Sequence, residues 1–438
     1  MRKLTVVLLI AAAFASVPAR AVICTIDEVP AATLLLPYFE VDLAKPNGIN
    51  TLLSINNASA TAVLAHVVVW TDLSVPVLDF NVYLTGYDVQ TISLRDLIMG
   101  WTPQTASDGQ DPKDTISPQG DFSQDINFAS CNNVLPPPNP LPELYVDHLM
   151  LSLTGQPDPF FLGRCAGRDL GDHIARGYVT VDTVRNCTLH FPGDPGYFQP
   201  GGTGDATNQN VLWGDYFYAD DSQNSASGNP LVHIEASATD VQTSTPGQYT
   251  FYGRYVNWTA ADNREPLATN FAVRFVTGGD FDGGTSLLVW RDSKVNQTAF
   301  DCPVVPGVRP AWYPLSQEGI VIFDEEENPS LTTTPPVSPP PPQSGPIPFP
   351  AEAQRTQVGG ADLPVPFSFG WLYLNLNTTV VPAGGFPPED PAAAQAWVTV
   401  EMKASGRFSV GFDAVQLDSA CNALHFVPSP ILVPPPGR

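Results

Sequence analysis

Apolar segments of strand length, separated by turn-forming residues, recur from residue 51 to residue 412, and no other feature limits the folding of this chain as strongly. Leu78, Phe80, Val82 and Leu84 alternate with Asp79, Asn81 and Tyr83. A period of two puts the apolar set on one face of a half-buried strand. Residues 62–70 are apolar at both parities, the pattern of a strand covered on both faces. Comparable segments lie at 51–55, 89–94, 178–184, 249–256, 271–276, 286–290, 320–323, 372–376, 397–402 and 408–412, with Asn56-Asn57, Gly278-Gly279 and Ser405-Gly406 as turn formers between them. Helical pattern is confined to 94–99, ended by Gly100, and to 142–153, which opens with Pro142-Glu143 and closes before Gly155. The sequence predicts an all-β chain with short helices.

Met1-Arg2-Lys3, the apolar run from Leu4 to Ala15 and the small-residue site Ala19-Arg20-Ala21 have the layout of a secretory signal peptide, which predicts a mature chain starting near Val22. No later apolar stretch approaches the roughly 20 residues that cross a bilayer as a helix, so no transmembrane segment is expected. Cys24 follows Ala21-Val22-Ile23 and lacks the small residue that a lipoprotein cleavage site needs before its cysteine. The expected location is periplasmic, outer-surface or extracellular. There are 44 acidic and 20 basic residues, and loss of Arg2, Lys3 and Arg20 with the signal peptide takes the net charge from −24 to −27. Such a field repels phosphate backbones and anionic bilayers, which argues against nucleic-acid or lipid-surface partners. It suits colloidal solubility, with divalent cations or cationic partners as the functional counterpart.

A faint repeat organises the chain. Glu28-Val29-Pro30-Ala31-Ala32-Thr33 is echoed by Glu265-Pro266-Leu267-Ala268-Thr269, and Gly48-Ile49-Asn50-Thr51-Leu52-Leu53 by Gly283-Gly284-Thr285-Ser286-Leu287-Leu288. Each half later carries a cysteine ahead of Leu-His-Phe, at Cys187 with Leu189-His190-Phe191 and at Cys421 with Leu424-His425-Phe426. The expected organisation is a signal peptide at 1–21, a first β-domain at 22–192 with a loop and helix insertion near 100–170, a connecting β and loop segment at 193–259, and a second β-domain at 260–438. A Pro-rich linker at 331–350 interrupts the second, because proline cannot join a sheet ladder. His190 and His425 then end their domains in structural roles.

All six cysteines, Cys24, Cys131, Cys165, Cys187, Cys302 and Cys421, follow the signal peptide and none forms a C-x-x-C pair, so disulfides are expected. The repeat suggests Cys24 with Cys187, Cys131 with Cys165 and Cys302 with Cys421. The six histidines have no zinc-type spacing.

At LLPYFEVDL (35–43), INTLLSINNAS (49–59), LAHVVVWTDLSVPVLDFNVYLTGYDVQTISLRDL (64–97) and NVLWGDYFYAD (210–220) the chain resembles a group of exported bacterial proteins without assigned function. The likeness covers much of 30–300 and lies in strand and turn patterns. An Asn-rich turn, a long two-sided strand and a strand ending near Leu94-Arg95-Asp96-Leu97 are also similar to immunoglobulin-like modules of bacterial surfaces. The resemblance implies two related immunoglobulin-like β-sandwich domains and carries over no site residue.

Catalytic motifs are missing from the sequence. Gly406-Arg407-Phe408-Ser409-Val410-Gly411 is one residue too long for a nucleophile elbow, there is no His-Glu-x-x-His, and Gly202-x-Gly204 follows no strand. A glycosidase needs only two carboxylates about 5 to 10 Å apart, which sequence does not exclude. Asp280 and Asp282, ahead of Gly283-Gly284, are the candidate calcium ligands, although the twelfth position is Arg291 where an EF-hand has Glu; a hairpin tip explains the stretch equally well. Asp169, Asp172 and His173 beside Arg168 read as a solvated loop. Trp213, Asp215, Tyr216, Tyr218, Asp220 and Asp221 are the candidate ligand-binding residues, since aromatic rings stack on sugars; strands also bury such rings. The expected function is structural, adhesive or binding, toward a protein or polysaccharide surface. A carbohydrate-binding module or β-fold glycoside hydrolase is the alternative. An exposed row of aromatics would favour carbohydrate binding, and a deep cleft with two facing acids would favour hydrolysis.

Overall fold

The computed structural model describes residues 29–104, 128–239, 250–303, 319–331, 349–377 and 395–417. The stretch expected to be a signal peptide, Cys24, Cys421, His425 and nearly all of the Pro-rich run lie outside these residues. The first part contributes β1 (Thr33–Asp42), β2 (Asn50–Asn57), β3 (Val63–Thr71), β4 (Pro76–Leu84), β5 (Val89–Ser93), α1 (Leu94–Ile98), α2 (Glu143–Leu153), β6 (Ile174–Val184), β7 (Leu212–Trp213), β8 (Asp215–Asp220), β9 (Ser225–Pro230) and β10 (Val232–Ile234). There follow β11 (Asn270–Val276), β12 (Gly284–Arg291), β13 (Gly319–Phe323), β14 (Pro329–Leu331), β15 (Ala353–Gln357), β16 (Phe369–Asn375), β17 (Ala396–Ala404), β18 (Phe408–Asp413) and β19 (Val415–Gln416). The molecule is mostly β, built from antiparallel sheets. Among the described residues, sheet I has the order β10-β1-β6-β3-β4 and sheet II the order β5-β2-β8-β9 with β7 on β2. Sheet III runs β14-β13-β16-β11-β19 and sheet IV runs β15-β12-β17-β18.

Burial follows the patterning. Every residue of β3 is buried, as its two-sided apolar run requires. Sheet IV is also covered twice: Leu287 and Val289 of β12 join the core made with sheet III, while Leu288 and Trp290 join the larger core made with β1, β3 and β6. In β16 the exposed and buried positions alternate.

Charged side chains cross the boundary between the two parts. Arg355 of sheet IV reaches Glu40 of sheet I at 2.9 Å and also pairs with Glu401, which accepts from Ser227 Oγ at 2.8 Å and lies 3.0 Å from Lys403 Nζ. Arg254, a buried residue, lies 2.5 Å from Glu352 and 3.4 Å from Asp292. At the edge of β9, Ala226 O accepts from Ser409 Oγ of β18 at 2.7 Å.

Two disulfides differ from the expected pairing. Cys131 bonds Cys187, and Cys165 bonds Cys302, each with Cα atoms 5.0 Å apart. The expected Cys24–Cys187, Cys131–Cys165 and Cys302–Cys421 pairs are thereby overturned, since four of these six cysteines are taken elsewhere. The cause is local geometry. Cys187 leaves β6 beside the turn Ala129–Cys131, where its N–H donates to Ser130 Oγ at 3.0 Å. Cys165 and Phe300 exchange two backbone hydrogen bonds of 2.9 Å, which lays Cys302 alongside. Sequence offsets carry no information on such approaches.

The strand expected at 249–256 is likewise replaced, by a turn of 3-10 helix at Gly253–Val256. A Cβ on Gly253 would meet the Trp258 ring at 2.4 Å, so glycine is what lets the turn close on that ring. Side chains, not a strand, satisfy its backbone: Gln395 Nε2 donates to Thr250 O and Phe251 O, and Asp262 accepts from Tyr252 N.

Candidate functional site

The densest catalytic-looking cluster is His148, Ser152 and Asp158. His148 and Ser152 lie one helical turn apart on α2, and both reach Asp158 Oδ2, at 2.5 and 2.6 Å. A nucleophilic triad needs the serine at Nε2, opposite the carboxylate. Here His148 Nε2 meets Val77 O at 3.0 Å, the hydroxyl is spent on the carboxylate, and all three residues are buried, with Phe160 stacked on the imidazole. The cluster braces α2 against β4. Two facing acids also occur, Glu40 and Glu401, but the Arg355 guanidinium lies between them and leaves no room for a sugar.

Asp280 and Asp282 sit at a hairpin tip. Asp282 Oδ1 accepts from Ser405 N at 2.7 Å, and the two carboxylates lie 3.6 to 3.7 Å from Arg407. The Ser405 hydrogen bond, with Arg407 assisting, holds the Asp282 carboxyl below its usual range. A guanidinium thus stands where a calcium ion would draw on both acids. Among the described residues no group of three metal-ligating side chains converges. Asp172 pairs with Arg176 and Arg168 with Asp72, so that loop is a tethered turn. His190 lies 2.8 Å from Asp205 in an exposed turn.

Sheet II divides the remaining candidates by parity. Successive side chains of a strand point to opposite faces. Tyr216 and Tyr218 point inward and are buried, the first with its hydroxyl 3.3 Å from Thr399 Oγ1 and the second donating to Tyr38 O at 2.6 Å. Burial pushes the Tyr216 hydroxyl well up from its ordinary range. Asp220 caps the turn Asp221–Gln223 by accepting from Gln223 N, and Asp221 is exposed there.

Trp213, Asp215 and Phe217 point outward. Trp213 is 41% and Phe217 48% exposed, with Leu52 beside Phe217 on β2. Four residues of strand separate the two rings by about 13 Å. Between them Asp215 Oδ1 accepts from Ser54 Oγ at 2.7 Å, and that hydroxyl accepts from Asn56 Nδ2 at 3.0 Å. The register continues across β2, where Thr91 stands opposite Ser54 and Ser93 opposite Leu52.

At the β5 edge this face opens into a groove of about 460 Å³ lined by Thr91, Ile92, Ser93, Asp96, Trp101, Thr102 and Pro103. Local structure explains why Trp101, 57% exposed, stands at its wall. Ser93 Oγ caps α1 by accepting from Asp96 N, Gly100 adopts φ +95° to end the helix, and Trp101 N donates to Asp96 O at 2.8 Å. Thr102 Oγ1 then ties the exit to Pro138 O at 2.9 Å.

The face therefore unites Trp213, Asp215 and Phe217, which the sequence marks as part of an aromatic and acidic stretch, with residues it does not single out: Thr91, Asp96 and Trp101. Strict alternation along 213–218 is the signal that separates outward Phe217 from inward Tyr216 and Tyr218; Trp101 follows a helix and has none. Aromatic rings, hydroxyls and two carboxylates on a shallow surface suit binding of a hydroxylated, uncharged or basic ligand rather than bond cleavage. No family model matches the sequence, and comparison with curated proteins and with solved structures gives no match.

Proposed function

We propose that this is an exported protein of two related immunoglobulin-like β-sandwiches that binds polysaccharide through the outer face of sheet II. The observation that carries the reading is the exposed pair Trp213 and Phe217 bracketing the hydrogen-bonded Asp215–Ser54 pair, next to the groove walled by Trp101. A pyranose presents an apolar C–H face and a rim of hydroxyls. The first stacks on an aromatic ring and the second bonds to a carboxylate or hydroxyl. Asp96, Asp215 and the net charge of −24 disfavour anionic polymers, so the ligand is a neutral or amino-sugar polymer. Disulfides support an oxidising compartment. Among the described residues no helix is long and apolar enough to cross a membrane.

Depletion binding to insoluble cellulose, chitin and starch tests the reading. The Trp213→Ala/Phe217→Ala protein is expected to bind its preferred polymer at least tenfold more weakly while its circular-dichroism spectrum and cooperative melt show the fold retained, because nearly half of each ring is in solvent. Retention equal to that of the parent chain, or no retention on any glycan by the parent, would count against it.

A further inference from the structure

The outer face of sheet III carries a second set of rings. Along β16 the exposed positions are Phe369 (45%), Trp371 (39%) and Tyr373 (41%), and the intervening residues line the core. Steps of two residues place the rings about 6.7 Å apart in a straight row. β16 lies between β13 and β11, so its backbone is paired on both sides and the face offers side chains only, no free strand edge. The rings are held in place: Arg274 lies over Trp371 with its guanidinium carbon 5.6 Å from the ring centroid, and Phe323 meets Tyr373 edge-on at 5.6 Å. Arg274 also pairs with Glu325 at 3.0 Å, which cancels the charge beside the row.

Large rings half in water on an interior strand cost free energy that smaller polar residues would avoid. We propose that this row is a second polysaccharide platform, making the protein bivalent toward a long neutral glycan; this rests on the proposed reading of sheet II for the class of ligand. Charge selects the occupant. A second copy of the chain brings another −24 to the contact, and an anionic polymer gains nothing from a guanidinium already neutralised. A neutral polymer meets no such repulsion and can stack successive sugars along a linear row.

Three variants of the full chain separate the possibilities: Trp371→Ala/Tyr373→Ala, Trp213→Ala/Phe217→Ala, and the combination. The measurements are depletion on insoluble cellulose, chitin or starch, and clustering of beads coated with the soluble form of the polymer that binds. Each double variant is expected to lose at least tenfold in retention through lost avidity, and the combination all of it. Beads should cluster with the parent chain and with the conservative control Trp371→Phe, and with none of the three variants. If the sheet III variant still clusters beads and binds as the parent does, the second platform is refuted while the sheet II reading stands. If the sheet II variant is unaffected and the sheet III variant loses all binding, the second platform stands alone and the sheet II reading fails. Light scattering that shows a dimer dissolved by Trp371→Ala/Tyr373→Ala would identify a second copy as the occupant and overturn the proposal.

Discussion

Arg355 illustrates what buried charge does in this molecule. Burial opposes ionisation of Glu401, but the charges of Arg355 and Lys403 and hydrogen bonds from Arg355 and Ser227 outweigh it and hold the carboxyl at about 2. A carboxyl depressed from about 4.5 in the unfolded chain stabilises the fold above pH 4.5, and that contribution disappears as pH falls toward 2. The shift corresponds to about 3 kcal/mol. Glu401→Gln is therefore expected to lower stability at pH 7 and to flatten the acid limb of a denaturation series between pH 4.5 and 2. Removing the cation is also costly: Arg355→Met leaves Glu401 with Lys403 and Glu40 with Arg176 at 3.8 Å as their remaining cations, with an expected loss of about 3 kcal/mol in urea titrations. At the other buried cluster, Ser152→Ala removes a hydroxyl from Asp158 and should cost about 1 to 3 kcal/mol. Turnover of esterase or peptidase substrates by the parent chain that vanished in that variant would restore the hydrolase reading.

Strands were the most legible elements because a period of two survives in a single sequence. β3, β4, β11, β12, β17 and β18 all fall within a residue or two of the apolar segments that announce them. β1 hides for a physical reason: Pro37 interrupts it, and the ladder to β6 shifts register between Leu36 and Phe39 to accommodate the missing donor. β15, with the sequence AQRTQ, carries too few apolar residues to show, and is buried by position between sheets. The site was half legible. Trp213, Asp215 and Phe217 stand out by type, but only the register tells that Tyr216 and Tyr218 face the core, and the apolar pattern at 372–376 marks the second half of β16 and leaves Phe369 and Trp371 outside it. Close packing within elements gives a sharper test than propensity. A Cβ on Gly177 of β6 would lie 1.9 Å from Trp70 O of the neighbouring strand. Gly177→Ala should therefore destabilise by about 3 kcal/mol or abolish soluble expression, read from yield and thermal melts.

At the scale of the whole molecule, sheet IV belongs to two cores at once. Its strands close the sheet III sandwich with one face and cover β1 and β6 with the other, and Cys165–Cys302 ties the same two parts covalently. The protein is expected to melt in one cooperative transition. Cys165→Ser with Cys302→Ser should lower stability by about 2 to 5 kcal/mol while keeping that single transition. Non-reducing peptide mapping should join the fragments that hold Cys131 and Cys187, and those that hold Cys165 and Cys302. The sequence indicated that cysteines would pair; their partners depend on how loops meet across the finished sheets, which no local pattern encodes.

A sheet covered on both faces also governs how the molecule answers a pull. Tension applied between sheet II and sheet III loads sheet IV, where β12 is zipped on either side by β15 and β17 and gripped above and below by side chains. Yielding there would require many bonds to rupture together instead of one after another, while the Cys165–Cys302 link limits how far the two parts can be drawn out. Such a body behaves as a stiff coupling, able to hold its shape when whatever grips its two faces is dragged in opposite directions.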